Sequence, residues 1–126
     1  MRLDMTQEIA LLLTLSLELP VVAALVLGLR WCPRSRWPWL LLLAAATSLI
    51  THPFAWHGIP ELRASIPSYW ARTALVEGLV VVAEGLLYMH FLPLSVRRGM
   101  ATALLANGVS WGLGLLLQVG WHHGWL

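Results

Sequence analysis

Between Thr73 and Phe91 the chain reads TALVEGLVVVAEGLLYMHF, an apolar run long enough to cross a bilayer but broken by two glutamates. Glu77 and Glu84 are seven residues apart, close to two helical turns. Both carboxylates therefore leave the same helix face, about 10 Å apart along the axis, with Val81 between them and Tyr88 one turn further. On the insertion scale the nine Leu, Val and Phe residues of this span contribute about −3 to −5 kcal/mol, and two central acids would cost about +5 to +7 kcal/mol. Alone, this helix inserts poorly. It becomes stable if the glutamates are protonated, face a wet cavity or find polar partners, so the stretch implies an interior polar site.

The rest of the chain supplies three more apolar spans. Composition agrees: 59% of the 126 residues are hydrophobic, 11% are charged and the mean hydropathy is +0.74. These values lie outside the range of water-soluble domains and indicate an integral membrane protein. Spans are expected at about 9–29, 37–56, 73–92 and 100–120, giving a single all-α transmembrane domain, a four-helix bundle. The first run is too long for a signal-peptide core and lacks a small-residue cleavage site, so it is expected to stay in the protein. Pro53 makes His52 a helix boundary or kink, and 57–71, with two prolines, reads as the longest exposed loop.

All eight basic residues are arginines and lie beside the apolar runs, which assigns them to topology and argues against a nucleic-acid surface. The turns after spans one and three hold five of them, against three at the N-terminus and the long loop. Both termini are thus expected on the outer, periplasmic side of an inner membrane. Cys32 is the only cysteine and reads as a bystander thiol near an interface.

Depth sorts the polar residues within the spans. Glu18, Ser48, Glu84, Asn107 and Ser110 fall near the midplane and form the expected proton- or substrate-binding site. His52, Glu77, Thr51 and Tyr88 form a second polar set, in which Glu77 is expected to pair with His52 or Arg72. Two carboxylates close together in low dielectric do not both ionise, so one of Glu18 and Glu84 is expected to carry a proton at neutral pH. The same bonds could simply hold helices together. Glycines 78, 85, 108, 112, 114 and 120 signal close helix packing.

The two hairpins look alike when their polar residues are aligned. Each has a mid-span glutamate (Glu18, Glu84), an arginine about a dozen residues later (Arg30, Arg97), and a second helix in which ATSLITH lines up with LANGVSW. Ser48 then corresponds to Asn107 and Thr51 to Ser110. Duplication of a hairpin explains this, and so does chance recurrence of small polar residues in spans this short.

No nucleotide-binding loop, nucleophile elbow or HExxH sequence is present. His52 and His90 sit at opposite depths, which argues against a bis-His haem, and the adjacent His122 and His123 with Trp121 and Trp125 read as an aromatic interface. No metal or cofactor is expected. Size and Glu18 resemble the small multidrug-resistance exporters, but the acids of the third span and the aromatic layout depart from that family, and its activity is not carried over. The pieces SLITHPFAW and LLANGVSWG, with an acidic third helix, resemble small uncharacterised prokaryotic four-span membrane proteins with a THPxxW-type segment. That resemblance covers spans two to four and implies no activity.

Two functions follow as expectations. The first is proton-linked binding or transport of a cation or small polar solute at the midplane carboxylates, in a homo-oligomer because four helices enclose little volume. The second is a non-catalytic accessory subunit of a larger membrane complex. A membrane enzyme, which would need His52 and Glu77 together beside an outward-opening cleft, ranks below both.

Overall fold

The computed structural model describes residues 6–122, the side chains of 118–122 excepted. Four helices follow one another: α1 (Gln7–Gly28), α2 (Trp37–Glu61), α3 (Tyr69–Phe91) and α4 (Val96–His122), with a 3-10 turn at Arg34–Arg36 before α2. At 22 residues α1 is about 33 Å long, and all four helices are long and apolar enough to cross a membrane. They close into a ring in which α1 and α3 each pack against both α2 and α4. The helices α1 and α3 are thus diagonal to each other, as are α2 and α4.

Burial is inverted relative to a water-soluble domain. Glu84 is 1% exposed and Glu18 2%, while Phe54 is 72% and Leu116 65% exposed. Acids inside and large apolar side chains outside fit a lipid surround.

Helix ends differ from the expected spans where local chemistry overrides composition. Pro53 and Pro60 both lie inside α2, so His52 is not a boundary. A proline removes one N–H and crowds the carbonyl four residues back, yet in hydrocarbon no water competes for the remaining ladder, and the helix runs through. The long loop shrinks to 62–68, because α2 extends to Glu61 and Ser68 caps α3 by accepting from the Ala71 N–H. Tyr69 and Trp70 belong to the first turn of α3, and Arg97 and Arg98 to the first turn of α4. The aromatic interface expected of Trp121, His122, His123 and Trp125 and the packing expected of Gly120 lie outside the described side chains.

The turn after α1 closes with a six-residue motif: Trp31 N–H donates to Val26 O at 2.8 Å and Arg30 N–H to Leu27 O at 3.2 Å. Arg30 occupies the left-handed position with φ 56°, where glycine is the usual occupant. This end of the bundle is stapled across helices. Trp39 Nε1 donates to Phe91 O at 3.3 Å, and Arg98 lies over the Trp31 ring at 5.4 Å. Val22, Val26, Leu40, Leu43, Tyr88 and Leu92 pack the interior behind it, with Cys32 buried at the edge. One glycine pair governs the contact between α3 and α4. A Cβ on Gly99 would lie 2.9 Å from Gly85 O, and one on Gly85 would lie 2.6 Å from Met100 Sδ. Gly78, Gly108, Gly112 and Gly114 have nothing within 4 Å of such a Cβ, so these glycines do not make the expected close helix contacts inside the chain.

Candidate functional site

Ser48 and Thr51 are three residues apart on α2, and Asn107 and Ser110 three apart on α4, so each helix presents two polar groups on one face. Those faces meet the two glutamates carried by the other diagonal pair. Glu18 of α1 accepts from Ser48 Oγ at 2.5 Å through Oε2 and from Ser110 Oγ at 3.1 Å through Oε1. Glu84 of α3 accepts from Thr51 Oγ1 at 2.6 Å through Oε1 and from Asn107 Nδ2 at 2.6 Å through Oε2. Each carboxylate therefore takes one donor from α2 and one from α4. Asn107 Nδ2 also donates to Ala103 O at 2.9 Å, which fixes the amide with its nitrogen toward Glu84.

The three hydroxyls have a second acceptor each. Ser48 lies 3.1 Å from Ala44 O, Thr51 2.9 Å from Thr47 O and Ser110 3.2 Å from Asn107 O. A hydroxyl has one proton. It can donate to an ionised carboxylate, or turn to its own helix carbonyl and accept from a protonated one. The bonding shell thus serves both states of either acid without leaving a group unpaired.

All five expected midplane residues come together, and Thr51 joins them as a direct partner of Glu84. The second polar set does not form one cluster. Tyr88 is buried one turn inward of Glu84, in the apolar packing. Glu77 and His52 stand instead on the walls of a cavity of about 440 Å³ that the buried Glu18, Ser48, Glu84 and Asn107 also line. Pro60 and Tyr69 bound its other end, beside the 62–68 loop. Access to the carboxylates is therefore one-ended, with the stapled, apolar end closed behind them.

Arg72 does not pair with Glu77. Its guanidinium donates to Ile66 O at 3.0 Å and Pro67 O at 2.8 Å, satisfying loop carbonyls, and lies over the Tyr69 ring. His52 stacks on Trp56 with ring centroids 6.1 Å apart, and its Nε2 is buried with no hydrogen-bond partner. Trp56, Tyr69 and Trp111 join the cavity wall, a placement the sequence reading does not anticipate. Their signal was present: Trp56 follows His52 by four residues and Trp111 follows Asn107 by four, which keeps both on the polar face. Among the described residues no group of three or more His, Cys, Asp or Glu side chains could hold a metal ion.

Four apolar helices around a buried, hydrogen-bonded carboxylate pair define a multi-pass membrane protein with an internal polar site. No family model, no curated protein and no solved structure matches the chain.

Proposed function

We propose that the protein binds a proton or a small cation at Glu18 and Glu84 and carries it across the membrane, exchanging it with the aqueous phase that the cavity faces. One observation carries this reading: both acids are fully buried at the floor of a one-ended cavity, in shells whose hydroxyls can reverse their bonds when a proton arrives or leaves. Helix-to-helix bonding alone would need neither an open approach nor an acid, since Asn107 and the hydroxyls can bond one another.

The arginine distribution supports an orientation. Arg30, Arg34, Arg36, Arg97 and Arg98 lie at the closed end, which the positive-inside rule makes cytoplasmic. The cavity then opens to the periplasm or exterior, on the side of both termini. The bonding pattern supports a duplicated hairpin. Exchanging α1 with α3 and α2 with α4 carries Glu18·Ser48 onto Glu84·Asn107, and Glu18·Ser110 onto Glu84·Thr51. It is the residue correspondence read from the sequence, and it makes the site an interface of two equivalent halves. The THPxxW-type segment acquires a role on the same reading, since Thr51 supplies a floor donor and His52 a wall.

The test is proton movement into proteoliposomes carrying a trapped pH dye, driven by a potassium diffusion potential. Wild type should move protons, and Glu84→Gln should abolish the movement while recovery and elution profile stay the same. Equal movement in the two removes the proposal. A Glu84→Gln variant that instead loses co-purifying partners points to the accessory-subunit reading.

A further inference from the structure

We propose that the cavity takes a linear aliphatic diamine, with one ammonium at the Glu18 and Glu84 floor and the other at Glu77. The proposal rests on the floor being a cation site, as above, and adds the class of ligand.

Acid stands on the wall at two heights. Glu77 precedes Glu84 by seven residues on α3, about 10.5 Å of helix rise, and both line the cavity. Val80 lies between them on the same helix and the same wall, so the two acidic levels are separated by an apolar rung. An ammonium bonds a carboxylate at about 2.8 Å. Two ammoniums serving these levels would therefore lie about 5 to 10 Å apart, between in-line and side-on placement. An extended 1,4- to 1,6-diamine covers that range, its methylenes running along Val80.

The charge on the wall selects the same ligand. Three carboxylates face the cavity, and among its described lining residues the basic group is the imidazole of His52. Arg72, a buried guanidinium of α3, turns Nη1 to the loop carbonyls and does not line the cavity. An anionic solute would meet only like charge. A bare metal ion finds no cluster of three ligating side chains among the described residues, because the acids are spread along the cavity. The cavity offers carboxylates at two levels, Glu18 and Glu84 at one and Glu77 at the other. Two ammoniums match them, which lowers the cost of leaving water. At the mouth, Trp56 and Tyr69 offer π faces to an entering cation.

The experiment is calorimetric titration of the full chain in nanodiscs at neutral pH with 1,6-diaminohexane, n-hexylamine, hexane-1,6-diol and adipate. The diamine should bind at least about 10-fold more tightly than the monoamine, the worth of one added charged hydrogen bond. The diol and the diacid should give no heat. Glu77→Gln should erase the preference for the diamine and leave n-hexylamine binding in place, which also reports an intact floor. Glu84→Gln should weaken both amines. Equal affinity for diamine and monoamine, or a preference that survives Glu77→Gln, overturns the assignment. If no amine binds while Glu84-dependent proton movement persists, the diamine fails and the proton site stands. If neither amine binding nor proton movement depends on Glu84, both fail.

Discussion

Replacing Glu84 by glutamine separates what the site does for the fold from what it does for function. Glu84 accepts two hydrogen bonds, each 2.6 Å long, from Thr51 and Asn107. Thr51 has a fallback on its own helix, Thr47 O at 2.9 Å, whereas Asn107 Nδ2 already spends its other N–H on Ala103 O at 2.9 Å. A side chain that keeps an acceptor for Asn107 therefore orphans no donor, and the large penalty for a buried unsatisfied group does not arise. Glutamine keeps the shape, and its single carbonyl oxygen can serve one donor while its amide nitrogen confronts the other. The net loss is one interhelical bond, about 0.6 to 2 kcal/mol in a membrane interior. Glu84→Ala loses both and should cost about 1 to 4 kcal/mol. Reversible unfolding in mixed detergent–SDS micelles measures this, with the apparent free energy falling in the order wild type, Gln, Ala. A loss above about 4 kcal/mol for glutamine would mean that the donors are stranded, refuting the fallback argument. No loss for alanine would mean that the two short bonds contribute nothing.

Three further outcomes follow from local geometry. Gly99→Ala should destabilise by about 1 to 3 kcal/mol and by more than Gly85→Ala. Its Cβ would lie 2.9 Å from a backbone oxygen, whereas the nearest atom to a Gly85 Cβ is the movable Met100 sulfur. The same unfolding assay ranks the two. Arg30→Gly should stabilise by about 1 kcal/mol in that assay, because the left-handed φ of 56° strains a side chain and not a glycine. Cys32 is 4% exposed and should react slowly with a maleimide in the folded protein and rapidly in SDS. Fast labelling of the native state would mean that the closed end opens.

The membrane bundle and the members of the site were legible because hydrocarbon makes polar residues conspicuous. Glu18, Ser48, Glu84, Asn107 and Ser110 could be named from depth alone. Pairing was less accessible, since depth along a helix says nothing about which neighbour a face meets. The sequence groups Thr51 with His52, Glu77 and Tyr88 in the second polar set, yet it lies three residues from Ser48 on the same face and reaches Glu84. Tyr88 shares the face of Glu84, but one turn inward the interior is filled by Val22, Leu40 and Leu43, and the phenol is enclosed there. The one-ended cavity has the same origin. Ala10, Thr14 and Ala55 leave space on the outer side where large aliphatic side chains fill the inner one. Glycine periodicity failed for a related reason. It marks small faces, but of the described glycines singled out by sequence only Gly85 has another helix tight against it, at Gly99 and Met100.

The ring arrangement also answers the insertion problem posed by α3. Two acids cost more than the span's aliphatic residues return, so α3 cannot be stable in lipid as an isolated helix. The partners for Glu84 come from both of its ring neighbours, Thr51 on the preceding helix and Asn107 on the following one. Glu18 likewise draws on Ser48 of α2 and Ser110 of α4. The first hairpin can therefore satisfy half of Glu18, and the arrival of α3 half of Glu84, but neither acid has its full shell until α4 closes the ring. Completion of the site and completion of the fold are one event. Polar donors at the midplane of α2 and α4 then do two jobs: they make insertion of the acidic helices tolerable, and they hold two acids in bonding shells that serve either protonation state. A bundle held by apolar packing alone would need none of these four donors, and their convergence on two carboxylates that line an open cavity is the feature on which the proposed binding role rests.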